Sequence, residues 1–390
     1  MTSAIIIGGG IAGCSTAYAL AQRGIAVTLI ERHEKLAQEA SGNPIAVLYP
    51  KISTKPDIAS RMALQGFEFT LNLLKKLPKN EEIFDACGLI QLAFNAREQA
   101  RQLAHGEQKH ALVLSAKVAS DVAGITLKTG GLYFPQAGWV KPQALCEALC
   151  KDTHIQKITS TSALTIEKKS NQWLINNIYL AEIVVICNAN DSKKFKVCEN
   201  AKITPVRGQI NFFSSNEISQ NIKTIICSDH FISPAIAGLH AIGTSYAPND
   251  FNPDVSEVDT HENLNALGKI SAEIIQKIDI HSMQNRVAWR SQTLDYMPLA
   301  GQLLDEEMLR NKPPRYNANN AALPWLEGLY VNAGHGSKGM ITAPICGELI
   351  ASLVAKNALP VDAKLASRLN PSRFLLRELG LKQLANSLYI

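Results

Sequence analysis

"SAIIIGGGIAGCSTAYALAQRGIAVTLIER", residues 3–32, decides the fold. The unbroken apolar run Ala4–Ile7 reads as a strand buried on both faces. A turn of spacing Gly8-x-Gly10-x-x-Gly13 follows and opens a helix over Ile11–Arg23, which Gly24 is placed to end. A second apolar strand, Ala26–Ile30, completes a strand-helix-strand unit, and such units are right-handed and parallel. The glycines have separate tasks: Gly8 permits the tight turn, Gly10 lets the backbone approach a pyrophosphate, and Gly13 lets helix and strand pack closely. Glu31 stands at the end of the second strand, ~20 residues on, where a carboxylate accepts hydrogen bonds from ribose hydroxyls and repels a 2′-phosphate. A dinucleotide with an unphosphorylated ribose, FAD or NAD, is expected.

The far end of the chain separates the two. "NAGHGSKGM", residues 332–340, is a second glycine loop entering a helix. A flavin dinucleotide has use for two helix starts, one at its pyrophosphate and one at the N1/C2=O edge, where negative charge gathers on reduction. FAD is therefore expected, with backbone amides from Gly336 to Met340 as better contacts than the side chains of His335 and Lys338, for which solvent exposure is the plain alternative. A covalent flavin link through Cys346 or His335 is conceivable, and no pattern favours it.

Between these ends the segment 58–77 reads as an amphipathic helix and 158–187 as a hairpin turning at Ser170-Asn171, followed by the apolar strand Ile183–Cys187 that returns to the parallel sheet. Residues 205–290 look β-rich with one helix, Glu262–Ile278. At 390 residues two interleaved domains are expected. The expected fold is an α/β Rossmann-type FAD-binding domain built from residues 1–85, 140–204 and 302–390. An inserted antiparallel-sheet, α+β substrate domain takes residues 86–139 and 205–301.

Composition narrows the class. With 46% hydrophobic and 19% charged residues, the chain reads as globular rather than disordered. No run approaches ~18 consecutive apolar residues, and Ala4–Ile7 lacks the basic leader of a signal peptide. The eight cysteines include no C-x-x-C pair, so reduced buried thiols are expected rather than a disulfide framework or a metal site, in a cytoplasmic setting. A net charge of +5 is compatible with an anionic partner such as RNA and points weakly to one.

"RVAWRSQTLDYMPLAG", residues 286–301, carries Arg290, Thr293, Asp295, Pro298 and Gly301. Together with the N-terminal fingerprint, "TPVRGQINFF" at 204–213, "AIGTSYAPND" at 241–250 and the C-terminal glycine loop, it resembles the D-amino-acid-oxidase-type flavoproteins, which include glycine and sarcosine oxidases. The resemblance runs from residue 3 to about 356 and implies that Arg290 holds a substrate carboxylate. A planar guanidinium suits that role because it binds a carboxylate through two parallel hydrogen bonds and so fixes its orientation.

Three segments are more specific: "ASGNPIAVLYPKIS" at 40–53, "GGLYFPQAGWVKPQALCEAL" at 130–149 and "GHGSKGMITAPICGEL" at 334–349. They are similar to the FAD-dependent half of the bifunctional enzymes that build 5-methylaminomethyl-2-thiouridine in tRNA. This implies removal of the carboxymethyl group, as glyoxylate, from 5-carboxymethylaminomethyl-(2-thio)uridine at the tRNA wobble position. Arg290 would be the catalytic-site residue. The cofactor set would be Gly8, Gly10, Ile11, Ala12, Gly13, Glu31, Arg32, Ser41, Gly42, Ala46, Val47, Leu48, Ala163, Ala189, Gly334, Gly336, Ser337, Lys338, Gly339 and Met340. Ser41 and Gly42 would reach the adenosine ribose and pyrophosphate, and the backbone of 46–48 would pass along the flavin.

No side-chain base is needed if the amine enters neutral, so His230, His240 and His335 are read as structural or exposed. Met1 precedes the fingerprint by few residues, so no methyltransferase activity is expected. The sequence departs from the family at Ala46, where Gly is commoner, and at Pro44. An oxidase or dehydrogenase of free glycine, sarcosine or a D-amino acid shares every feature except the three narrower segments, and a non-catalytic FAD- or RNA-binding protein is a further alternative.

Overall fold

The computed structural model describes residues 2–53, 57–78, 80–105, 110–315 and 318–389; Met1 lies outside them. Strand Ser3–Ile7 is central to a six-stranded sheet in the order 299–304, 325–333, 183–186, 3–7, 26–30 and 155–158. Every neighbour in it is parallel except Leu299–Leu304, which runs antiparallel to Trp325–Ala333. Ile5, Ile6 and Ile7 are all buried, because helices cover one face and the small three-stranded sheet 166–181 with its neighbours covers the other. That explains the absence of polar alternation in the first strand.

A nine-stranded sheet is built around the long pair Ile203–Ser214 and Gln284–Thr293, in register from Ile203 opposite Thr293 to Phe212 opposite Gln284. It is antiparallel except where Ile225–Cys227 runs parallel to Leu89–Leu92. The first sheet draws on residues 3–30, 155–186 and 299–333 and the second on 89–134 and 203–293, so the chain crosses between them repeatedly. A third pairing joins two of the narrow-resemblance segments directly. Ala46, Val47 and Leu48 lie opposite Val140, Trp139 and Gly138.

Several expected elements change in extent. The first helix ends at Ala21, with Gln22 as its cap, rather than at Arg23. The helix expected over 262–278 is two helices, Glu257–Gly268 and Ala272–Ile275. Its true start is the cap at Ser256, whose hydroxyl accepts from the Asp259 N–H, and Gly268 and Ser271 interrupt it. The hairpin at Ser170-Asn171 gains a third strand, Tyr179–Ala181.

The helix 336–355 is long and apolar enough to cross a membrane by length and composition. Ser337, Lys338, Thr342 and Glu348 interrupt its apolar run, so it contains no long stretch of consecutive apolar residues. Most of it is buried, packed against Ile11–Ala21 and Ile58–Lys76 as a core helix. At Gly347 an added β-carbon would lie 2.9 Å from the Ser15 carbonyl carbon, so the two helices touch backbone to backbone.

The C-terminal segment is tied back by Arg373, which is fully buried. Its Nε and Nη2 donate to the two oxygens of Asp295 at 3.0 and 2.7 Å, and its remaining donors reach the carbonyls of Met297, Pro298, Leu369 and Asn370. Removing the cation strands Asp295 and these acceptors. Arg373→Leu is expected to cost about 3 kcal/mol or more in urea unfolding. A loss below about 1 kcal/mol would show that the ion pair does not hold the tail.

Candidate active site

The glycine turn is built as its spacing demands. Gly8 has φ +106°, and a β-carbon on Gly13 would lie 1.8 Å from the Gly8 carbonyl oxygen. The turn therefore brings the start of helix Ile11–Ala21 onto the tip of the first strand. Glu31 folds back beneath it, Oε2 accepting from the Gly9 N–H at 2.6 Å and Oε1 from the His33 N–H at 2.8 Å. A carboxylate has about four acceptor sites, so two remain for ribose hydroxyls. Ser41 caps the helix from across the turn, its hydroxyl accepting from the Ile11 N–H at 3.1 Å.

From this turn a cavity of about 670 Å³ runs to the second sheet. Of the residues expected to hold a cofactor, Gly8, Gly10, Ile11, Ala12, Glu31, Arg32, Ser41, Ala46, Val47, Ala163, Ala189, Gly334, Gly336, Ser337, Gly339 and Met340 line it, and so does Arg290. Four do not. Gly13 is taken up by the Gly8 contact, and Gly42 is pressed against Arg286, whose Nη2 would lie 2.5 Å from an added β-carbon. Leu48 is buried in the core, and Lys338 is part-buried outside the cavity lining. Ala46 lies in a strand outside the left-handed region, so its methyl group brings no backbone strain.

Arg286, which has no assigned role in the sequence analysis, positions the loop 38–43. Its guanidinium donates to Asn43 Oδ1 at 2.6 Å and to the carbonyls of Gln38 and Glu39 at 2.8 and 2.6 Å. Arg286 and Arg290 sit four apart on one strand and share a face by its period of two, a signal that was present in the sequence.

Arg290 is the chemically distinctive group. Its guanidinium donates to the Ser245 carbonyl at 3.2 Å and to the Thr244 hydroxyl, and it lies against the Tyr246 ring. It has no carboxylate partner among the described residues. Burial pulls its pKa below the ordinary arginine value, with Tyr246 acting in the opposite direction. A β-carbon on Gly208 would lie 2.4 Å from Arg290 Nη2, so this glycine inside the strand makes room for the guanidinium. Thr293, Asp295, Pro298 and Gly301, the other marked positions of that segment, hold the following turn and the tail instead.

His335 is half-buried rather than solvent-exposed. Its Nε2 meets Asn332 Oδ1 at 3.0 Å and its Nδ1 meets Thr342 Oγ1 at 2.9 Å. Asn332 in turn donates to Thr16 Oγ1 at 3.0 Å, linking the C-terminal loop to the first helix. Cys346 is fully buried away from the cavity, so it offers no covalent attachment there. All eight cysteines are free thiols. His240 is fully buried against Phe213, whereas His230 lines the cavity. Lys51, Trp289 and Tyr246 line it too; each falls in a segment that carries the resemblance, without a role of its own in the sequence analysis.

Burial lowers the His335 pKa from 6.5 to about 3. Below about pH 6.5 the unfolded chain takes up a proton there that the folded chain refuses, so stability falls as pH drops, by at most about 1.4 kcal/mol per pH unit. His230 and His240, also lowered by burial, add slope of the same sign. His335→Gln is expected to flatten the decline in urea midpoint between about pH 7 and pH 5 relative to the parent protein. Parallel declines would show that His335 protonates freely in the fold.

The glycine cradle, the carboxylate beneath it and the cavity reaching a second glycine loop fit a flavin dinucleotide. Comparison with known proteins agrees. Residues 3–353 match the family described as DAO, FAD dependent oxidoreductase. The chain is 39% identical, over 99% of its length, to the tRNA 5-methylaminomethyl-2-thiouridine biosynthesis bifunctional protein MnmC of Methylobacillus flagellatus. It is 38% identical over 96% of its length to the protein of the same name in Pseudomonas savastanoi pv. phaseolicola. It spans about three-fifths of those relatives, 61% and 59% of their lengths.

Among solved structures, glycine oxidase from Geobacillus kaustophilus superposes with a TM-score of 0.77 at 22% identity, covering 96% of this chain and 99% of that one. L-proline dehydrogenase from P. horikoshii gives 0.75 at 18%, covering 97% and 98%. Those two likenesses speak to the fold. The match along residues 3–353 settles the lineage: this chain is an enzyme of the DAO family of FAD-dependent oxidoreductases.

Proposed function

We propose that the chain oxidises the N-substituted glycine of 5-carboxymethylaminomethyl-uridine at the tRNA wobble position, releasing glyoxylate and leaving the aminomethyl nucleoside. The observation that carries this reading is Arg290, a desolvated cation on the cavity wall with no carboxylate of its own among the described residues. A substrate carboxylate supplies the missing anion. The names of the relatives that match nearly the whole chain supply the tRNA context. Eight free thiols fit a reducing, cytoplasmic compartment.

FAD, when bound, supplies the two-electron acceptor for the C–H bond of the glycine carbon. The residues that would hold it are the turn Gly8–Ala12, Glu31, Ser41 and the loop Gly334–Met340. Arg290 fixes the carboxylate by two parallel hydrogen bonds and so restrains the glycine carbon, which is most of what a hydride transfer asks of a protein. The nitrogen lone pair becomes the second bond of an imine. Water adds to the imine carbon, the C–N bond breaks, the nitrogen takes the proton, and glyoxylate departs.

The test is anaerobic mixing of the holoenzyme with tRNA bearing the carboxymethylaminomethyl group, and separately with glycine and sarcosine, followed by flavin absorbance. Bleaching by the tRNA supports the proposal; bleaching by the free amino acids alone overturns it. Arg290→Ala is expected to stay yellow and to lose about 10²- to 10³-fold in kcat/KM. Gly208→Ala, which crowds a flexible side chain rather than backbone, is expected to unfold at nearly the parent urea concentration. Its KM should nevertheless rise several-fold as Arg290 is displaced; an unchanged KM would show that Arg290 is not the clamp.

A further inference from the structure

Tyr246 lines the cavity beside Arg290 and is nevertheless 47% exposed, so it stands at the mouth. Its orientation is fixed from two sides. The hydroxyl accepts from Gln292 Nε2 at 2.6 Å, and the Arg290 guanidinium carbon lies 6.0 Å from the ring centroid. Gln292 is itself braced by the C-terminal glycine loop, bridging to His335 through the backbone and passing within 3.4 Å of where a β-carbon on Gly336 would sit. The turn that follows Gln292 exposes Leu294 and Tyr296 at 66% and 64%. An exposed phenol ring held this firmly, next to a cation that awaits an anion, is a built surface.

We propose that Tyr246 is the platform on which the substrate's pyrimidine base stacks, and so the residue that selects a nucleobase-bearing glycine over a free one. This rests on the tRNA reading above. In that substrate the carboxylate carbon is separated from C5 of the uracil by the chain CH2–NH–CH2, four bonds or roughly 5 Å when extended. The carboxylate on Arg290 stands off from the guanidinium by the length of a hydrogen bond, and from there the extended chain is long enough for the base to reach the Tyr246 ring, whose centroid is 6.0 Å from the guanidinium carbon. A tyrosine face stacks on a base without demanding a particular hydrogen-bond pattern. Glycine or sarcosine held on Arg290 has nothing to place there.

Binding to the holoenzyme tests this apart from turnover. The probe is 5-(carboxymethylthiomethyl)uridine, in which sulfur replaces the oxidisable amine, and (methylthio)acetate is its base-free counterpart. Calorimetry gives the ratio of their affinities. Tyr246→Ala is expected to lower that ratio by about 5- to 100-fold, whereas Tyr246→Phe, which keeps the ring, lowers it by less than about 3-fold. An unchanged ratio in the alanine variant, an equal fall in the phenylalanine variant, or no preference for the uridine probe in the parent protein overturns the inference. If the parent flavin is still bleached by the modified tRNA in those cases, the assigned function stands and the platform alone fails. If neither tRNA nor probe engages the parent protein, both fall.

Discussion

The carbonyl oxygen of Gly8 occupies the place a β-carbon on Gly13 would need, and much of the site depends on that contact. It holds the first turn of helix Ile11–Ala21 against the tip of the central strand, directing the positive end of the helix at the cavity. It also sets the height of that helix for everything packed above it. Gly347 brings helix Gly339–Ala355 against Ser15 and Thr16, and Thr16 accepts from Asn332, which in turn orients His335. Two loops 320 residues apart in sequence are thus placed by one chain of close contacts, which needs glycine where backbones meet and small hydroxyls where side chains meet.

The stretch 40–53 joins that scaffold to the second sheet. Ser41 caps the first helix, Gly42 admits the Arg286 guanidinium, and Ala46–Leu48 pair with Gly138–Val140. One loop therefore touches the nucleotide turn, the substrate strand and the segment 130–149. Its pattern is demanding because each position answers to a different neighbour. Only some of these residues face the cavity; Gly42 and Leu48 serve by supporting the ones that do.

The strand-glycine-helix unit was legible because every residue in it obeys a local rule: apolar without alternation, glycine at the turn, acid at the next strand end. Three strands of the six-stranded sheet, 3–7, 26–30 and 183–186, and the two glycine loops follow from such rules. What the sequence concealed is set by contacts between distant segments. Arg286 and Gly208 do their work through partners about 240 and 80 residues away, and Tyr246 owes its orientation to Gln292. The helix expected over 262–278 starts five residues earlier, at Glu257, because its cap at Ser256 lies in a polar stretch without apolar periodicity. Whether His335 is structural or exposed is likewise decided by a distant contact, since its partner Asn332 is close in sequence but Thr16, which fixes Asn332, is not.

Three arginines show how the protein treats a cation withdrawn from water. Arg207 and Arg373 are fully buried, and each is met by an acid: Asp259 for the first, Asp295 for the second. Both follow the rule that a charge leaves solvent only with a partner. Arg290 sits on the strand beside Arg207, with Val206 as its opposite residue, and is given only a carbonyl, a hydroxyl and an aromatic face. A carboxylate placed there from the chain would stabilise the fold and occupy the clamp. Leaving the cation half-satisfied costs stability and keeps its donor edge for an anion that arrives from outside. The same sheet therefore contains the arrangement that maximises stability, at Arg207, and the one that reserves a charge for the substrate, at Arg290.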